Sequence, residues 1–168
     1  MKRTVIFAHR GASAYAPENT WAAFQKAMEM NAGGIEIDVH LSKDGHVVIC
    51  HDEKVDRVSN GTGLVKDKTL DELKSLDFGS WFGKEFAGEQ ILTLDEFLKL
   101  IEDWDGILNV ELKSGIVLYE GLEEKVIDIL KKYDRIDNTI ISSFNHYSLL
   151  AVKKMEPRLK TGILYTAG

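Results

Sequence analysis

The stretch of this chain best equipped for chemistry is residues 34–52, Gly-Ile-Glu-Ile-Asp-Val-His-Leu-Ser-Lys-Asp-Gly-His-Val-Val-Ile-Cys-His-Asp. As extended chain it sets Glu36, Asp38 and His40 on one face and Ile35, Ile37, Val39 and Leu41 on the other. Carboxylates two apart on a strand have Cα atoms roughly 6.5–7 Å apart, so their oxygens can converge on one cation. Lys43-Asp44-Gly45-His46 reads as a turn, and Val47, Val48 and Ile49 lead the chain back to His51-Asp52. That return carries the His51 imidazole toward the two acids. A plain edge hairpin also alternates apolar and polar residues. Here, however, the apolar face is all Ile, Val and Leu, and the polar face holds only ionisable groups.

The elements that must position these groups belong to a chain of 168 residues, 44% hydrophobic and 29% charged, with a formal net charge of −6. That is enough for one domain with a full core, in the ordinary range for a soluble globular protein. There is no basic run and no interleaving of aromatics with Lys or Arg, which argues against nucleic acid. Cys50 is the only cysteine, so an internal disulfide is excluded and a reducing compartment fits. Flanked by Val48 and Ile49 and pointing away from His51, it reads as a buried structural thiol, not a nucleophile. Lys2-Arg3 is followed by only five mostly apolar residues, too few for a signal core or a membrane span, so the expectation is a cytoplasmic protein.

Residues 4–8 read as a buried strand ending in His9-Arg10-Gly11. Pro17-Glu18-Asn19-Thr20 opens a helix to about residue 31, with Trp21, Phe24, Ala27, Met28 and Met30 at helical spacing. Strand, helix, strand is a βαβ unit and hence a parallel pair. From 53 to about 92 the chain is polar and rich in turns, with a short helix over 69–76, and reads as an ordered insertion whose core would include Trp81 and Phe82. Thr93 then caps a helix bearing Leu94, Phe97, Leu98 and Ile101. Strands follow at 107–113, 139–144 and 161–165, with helices at 120–133 and 146–155 between them.

This alternation predicts an α/β fold. The ionisable groups gather where strands end: His9 on the first, Glu36 and Asp38 on the second, Glu111 on the third. A (β/α)8 TIM barrel sets its catalytic residues at the C-terminal ends of several strands. An open doubly wound sheet usually adds a Gly-rich phosphate loop, and neither G-x-G-x-x-G nor a Walker loop is present. A barrel of this kind takes about 250 residues. The expectation is therefore a single partial TIM-barrel domain over 1–168, covering about the first five β/α units, with a small inserted subdomain at about 53–92.

His9-Arg10-Gly11, Pro17-Glu18-Asn19-Thr20, Glu36-Ile37-Asp38-Val39, His51-Asp52, Asn60-Gly61-Thr62-Gly63 and Glu111-Leu112-Lys113 follow one another in this order. Together they resemble the glycerophosphodiester phosphodiesterase family, over about residues 5–165. The resemblance implies a (β/α)8 barrel that hydrolyses glycerophosphodiesters to glycerol 3-phosphate and an alcohol. It implies that Glu36, Asp38 and Glu111 ligate one divalent cation, that His9 and His51 are the acid/base pair, and that Arg10 and Lys113 contact the substrate phosphate. Strands six to eight of that barrel, with an aromatic the family sets near the glycerol group, are absent from the sequence.

The residue types suit such chemistry. Three carboxylates without a thiolate select a hard cation, Mg2+ or Ca2+, over zinc. Arg10 can grip phosphoryl oxygens in a fork, while Lys113 supplies a point charge. Two imidazoles titrating near neutral pH allow one to take a proton while the other gives one. The expected course is attack of the glycerol 2-hydroxyl on phosphorus, giving a cyclic phosphate that water opens, with direct attack by water as the alternative. Plainer roles exist for each residue. Glu111 and Lys113 also suit a simple ion pair, Arg10 a strand-end cap, and Asp52 either orients His51 or only follows it into a turn. His40, His46 and His146 read as ordinary polar residues. The rival functions are a phospholipase-like lyase that stops at the cyclic product and a barrel that binds without turnover. A barrel hydrolase of amides or phosphomonoesters would begin with His-x-His, whereas here Arg10-Gly11 follows His9.

Overall fold

The computed structural model describes residues 4–166, and the Lys2-Arg3 pair considered above lies outside that range. The elements run β1 (Phe7–His9), α1 (Trp21–Glu29), β2 (Gly34–Leu41), β3 (Val47–Ile49), a 3-10 turn (Val65–Asp67), α2 (Leu70–Lys74) and a second 3-10 turn (Lys84–Phe86). They continue with α3 (Leu94–Leu100), β4 (Ile107–Leu112), α4 (Leu122–Lys132), β5 (Thr139–Ser143), α5 (His146–Met155) and β6 (Lys160–Ile163). Strands β1, β2, β4, β5 and β6 lie side by side in that order, all parallel, and β3 folds back antiparallel onto β2. Four repeats of strand, helix, strand thus lay down successive β/α units. This is the expected α/β architecture of a partial (β/α)8 barrel.

Apolar alternation drives the assembly. Ile35, Ile37 and Val39 of β2 and Leu108, Val110 and Leu112 of β4 bury on one face, under Phe24 of α1, Phe97 of α3 and Val126 and Leu130 of α4. The Phe24 and Phe97 rings meet with centroids 4.6 Å apart. Each such side chain stabilises the fold by about 1.5–3 kcal/mol relative to exposure. The opposite face of the sheet carries Glu36, Asp38, Asn109 and Glu111, which frees it for polar chemistry. Capping fixes where helices begin. Thr69 and Thr93 each accept from the backbone three residues on, and Glu72 and Glu96 answer with the reciprocal bond of a capping box.

Several boundaries differ from the sequence pattern. The first strand was expected over 4–8 and buried, yet Val5 and Ile6 are exposed and the ladder starts at Phe7. Its partner strand begins only at Gly34, which pairs with Phe7, so the ladder reaches back no further than the Ile6 carbonyl, which accepts from the Gly34 N–H at 3.1 Å. Consequently His9 itself lies within the strand, beside Glu36. The first helix ends at Glu29, and Asn31 follows in the left-handed region with φ 56°. Met30, expected on the apolar stripe, is exposed.

The segment 53–92 joins β3 to α3 and packs a second apolar cluster from Val48, Cys50, Val55, Val65, Phe78 and Ile91. Strand β3 serves both cores: Val47 and Ile49 face the main cluster and Val48 the second. Trp81 and Phe82 were expected inside this core. Instead Phe78 fills it, while Trp81 is 41% exposed and stacks edge-on against Phe82. Among the described residues, no helix is long and apolar enough to cross a membrane.

Candidate active site

Strand register assembles the acids. Asp38 and Glu111 are register partners across the parallel β2–β4 pair, and His9 is the register partner of Glu36 across β1–β2. Neighbouring strands lie about 4.8 Å apart and in-register residues share a face, so these side chains project together. One carboxylate oxygen each from Glu36, Asp38 and Glu111 comes within 4.8 Å of the other two. All three residues are buried.

So many acids in so little water disfavour their own charge. Burial first, and then Asp38, push the Glu36 pKa well above the ordinary carboxylate value. Burial and Glu111 likewise raise Asp38, against a hydrogen bond from Asn19 that favours its charged form. Asp38 is fully buried, and its Oδ1 has no hydrogen-bond partner. An orphaned carboxylate oxygen facing two more acids is what a hard divalent cation would satisfy, and the donor set fits Mg2+ or Ca2+.

Cations of the protein frame this cluster. Lys113 Nζ donates to Glu111 Oε1 at 2.9 Å and stands 4.0 Å from Asp38 Oδ1. Arg10 follows β1 with a positive φ of 60°, and its backbone N–H donates to Glu36 Oε2 at 3.0 Å. Its guanidinium donates from Nη1 to Glu18 at 3.0 Å and passes 3.6 Å from Asp38 Oδ2. The turn is possible because Gly11, at φ 80°, packs so tightly on α1 that a Cβ would lie 2.7 Å from the Ala23 carbonyl carbon. Asn19, also left-handed at φ 58°, ties its N–H to the Arg10 carbonyl and its amide to Asp38 Oδ2 at 3.0 Å.

The two histidines flank the acids. His9 Nε2 lies 3.8 Å from Glu36 Oε2, with 68% of its side chain exposed. Partial burial, then the Arg10 and His51 charges, lower its pKa, so the neutral imidazole is favoured. His51 is returned by the hairpin, whose ladder extends to a bond from Cys50 N–H to the Asp38 carbonyl. Its Nδ1 lies 2.7 Å from Asp52 Oδ1. A carboxylate can only accept, so a proton sits on Nδ1 and Nε2 is the nitrogen left to exchange one. Asp52 therefore orients His51 and is more than a turn residue. Hydrogen bonds from Arg57, then from His51, hold its pKa down to about 2. His51 lines a cavity of about 480 Å³ with Glu53, Glu111, Lys113, Ile116 and Phe144.

All seven residues singled out from the sequence, His9, Arg10, Glu36, Asp38, His51, Glu111 and Lys113, thus belong to one constellation. His46 and His146 do not: the first stands 3.8 Å from Asp44 and the second bonds the Leu164 carbonyl. His40, read as an ordinary polar residue, is fully buried between the Tyr119 hydroxyl at 2.8 Å and the His51 carbonyl at 3.1 Å. Burial raises the Cys50 thiol pKa to about 12, which suits the structural role expected for it. The sequence pattern missed the side-chain parts played by Glu18, Asn19, Arg57 and Tyr119. Glu18 and Asn19 stood in a motif that read as a helix opening and as part of the family resemblance, with no side-chain role given to either, and Arg57 was not singled out.

Comparison with known proteins adds a second line. Residues 9–168 match the model of the glycerophosphoryl diester phosphodiesterase family. Over 166 residues the chain is 59% identical to a glycerophosphodiester phosphodiesterase of Caldanaerobacter subterraneus subsp. tengcongensis, covering 99% of this chain and 68% of that protein. A glycerophosphodiester phosphodiesterase of Bacillus altitudinis is 42% identical, with 96% and 66% covered. Among solved structures, an Oleispira antarctica phosphodiesterase in complex with the product sn-glycerol-3-phosphate superposes with a TM-score of 0.88 at 40% identity, over 98% of this chain and 67% of that one. A glycerophosphodiester phosphodiesterase of Agrobacterium tumefaciens gives 0.86 at 33% identity, covering 95% and 66%. The chain spans about two thirds of the length of the relatives it matches.

Proposed function

The chain belongs to the glycerophosphoryl diester phosphodiesterase family, and on that premise we propose that the whole protein hydrolyses glycerophosphodiesters to glycerol 3-phosphate and an alcohol, using one divalent cation. The observation that carries this reading is the convergence of Glu36, Asp38 and Glu111 within 4.8 Å, flanked by two histidines and two cations. In it, Glu36, Asp38 and Glu111 hold Mg2+ or Ca2+. When bound, that ion supplies Lewis acidity at the phosphoryl oxygens and orients the diester.

The protein's own groups do the rest. Arg10 and Lys113 neutralise and fix the phosphate, Arg10 by its fork and Lys113 as a point charge. One histidine takes the proton of the glycerol 2-hydroxyl as that oxygen bonds to phosphorus. The other gives a proton to the alcohol oxygen as its bond to phosphorus breaks. The two then exchange roles while water opens the cyclic phosphate. His51 is prepared for such work because Asp52 keeps the proton on Nδ1 and leaves Nε2 free. The segment 53–92, as an insertion in the barrel, contributes Glu53 to the cavity beside His51. The lone buried cysteine suits a reducing compartment, so the reading assigns the protein to the cytoplasm.

The test is glycerol 3-phosphate release by the full-length protein from glycerophosphocholine and glycerophosphoethanolamine, with Mg2+, with Ca2+ and with a chelator. Chelator-sensitive release is expected. Accumulation of a cyclic phosphate as final product would instead identify a lyase, and no turnover of either diester would overturn the proposal.

A further inference from the structure

Arg57 lies in the segment between β3 and the first 3-10 turn, away from the acidic cluster, and 45% of its side chain is exposed. Its guanidinium nevertheless makes four hydrogen bonds to two carboxylates. Nε and Nη2 donate to the two oxygens of Asp52 at 2.8 and 3.0 Å. Nη1 and Nη2 donate to the two oxygens of Glu18 at 2.9 and 2.8 Å. Both pairings are forks, the geometry in which an arginine–carboxylate pair is strongest and most directional. A single exposed ion pair contributes little, but bidentate pairs joined in a network are the exception.

Each of these carboxylates holds one member of the proposed machinery. Asp52 Oδ1 accepts from His51 Nδ1 at 2.7 Å, and Glu18 Oε1 accepts from Arg10 Nη1 at 3.0 Å. A continuous line therefore runs from Arg10 through Glu18, Arg57 and Asp52 to His51. We infer that Arg57 is a positioning residue that fixes the His51 imidazole and the Arg10 guanidinium at once, through Asp52 and Glu18. This rests on the roles given above to His51 in proton transfer and Arg10 in phosphate binding.

The residue type is dictated by the task. Two forks in one plane need a guanidinium, and a lysine ammonium could neutralise the two acids but not align both. Without the cation, Asp52 and Glu18 would face each other as unscreened like charges and swing apart, taking the imidazole tautomer and the arginine fork with them. None of the bonds of Arg57 reaches Glu36, Asp38 or Glu111, so cation binding should be spared.

The experiment compares Arg57→Met, Arg57→Lys and His51→Ala in the full-length protein, measuring kcat, KM, Mg2+ or Ca2+ affinity by calorimetry, and thermal midpoint. The expected result for Arg57→Met is a fall in kcat/KM of about 10–100-fold, as for loss of an outer-shell partner. Its cation affinity should stay that of wild type, its melting temperature should fall modestly with the lost ion pairs, and added methylguanidinium should recover part of the lost turnover. Arg57→Lys should fall between Met and wild type. A wild-type kcat/KM in Arg57→Met or in Arg57→Lys overturns the inference. So does a loss in Arg57→Met that follows its melting temperature and does not respond to methylguanidinium, which would mark a merely structural residue. His51→Ala separates the two levels. If it keeps full turnover, the underlying role of His51 is wrong; if it is inactive while Arg57→Met is normal, only the positioning role falls.

Discussion

Asp38 and Glu111 stand opposite each other in register on the parallel strands β2 and β4, both buried, with Lys113 Nζ 2.9 Å from Glu111 and 4.0 Å from Asp38. Add Glu36, and three buried carboxylates share a space that the Lys113 ammonium and the Arg10 guanidinium, 3.6 Å from Asp38, only partly neutralise. This arrangement costs stability unless a cation occupies it, and its consequences can be measured.

The first prediction concerns pH and metal. Glu36 and Asp38 have pKa values raised above 4.5 and 3.8. The folded protein therefore keeps protons that the unfolded chain has already released. Their contribution to stability in metal-free protein is most favourable below those ordinary values and declines as pH rises through the raised ones. Mg2+ or Ca2+ at a hundred times its Kd should add back about 2.7 kcal/mol. Urea unfolding of wild type and Glu36→Gln should show both responses in the first and flattened ones in the second. Wild-type cation stabilisation in Glu36→Gln would remove Glu36 from the ligand set.

Proton transfer gives the second. His51→Ala should lower kcat by about 10²–10⁴-fold, the usual contribution of a general acid or base. Asp52→Asn should cost less, because the imidazole survives but its tautomer is no longer set. The pKa of Asp52 is lowered to about 2 from 3.8, so its charged pairing stabilises the fold fully above 3.8 and is lost as pH falls through about 2. The stability difference between wild type and Asp52→Asn should close over that window. A difference independent of pH there would mean that the pairing contributes nothing.

Phosphate binding gives the third. Arg10→Lys keeps a positive charge but loses the fork, and a hydrogen bond to a charged group contributes about 1.5–3 kcal/mol. Inhibition by glycerol 3-phosphate should weaken about tenfold or more. The backbone N–H of residue 10 still reaches Glu36, so cation affinity should change little. Equal inhibition constants in the two proteins would exclude Arg10 from the phosphate site.

Stability alone tests the fourth. His40 bridges the Tyr119 hydroxyl and the His51 carbonyl in the interior. His40→Leu should destabilise by about 1–3 kcal/mol, since it strands two polar partners. Tyr119→Phe should cost less, because only His40 Nδ1 loses its partner. Unfolding midpoints in urea at unchanged m-value would decide it, and an unchanged midpoint in His40→Leu would refute the bridging role.

What the sequence determined by itself was local. Period-two alternation is a property of residues a few positions apart, so it set Glu36 and Asp38 on one face with Ile35, Ile37 and Val39 on the other. Threonine caps at 69 and 93 marked helix starts for the same reason: the bonds that define them close within three residues. The hairpin that returns His51 was legible from its turn. What only the tertiary structure decided was non-local. The register Asp38↔Glu111 depends on how the crossover helices pack, and no short pattern encodes it. The strand start at Phe7 was set by where Gly34 offers a partner, not by the apolar run before it. His40 looks like any solvated polar residue until Tyr119 and the His51 carbonyl enclose it. Arg57 and Glu18 are 39 residues apart, and their fork exists only because the segment 53–92 folds back onto the loop between β1 and α1. A charge in a sequence states what a residue can offer; its partner is chosen by the chain's path through space.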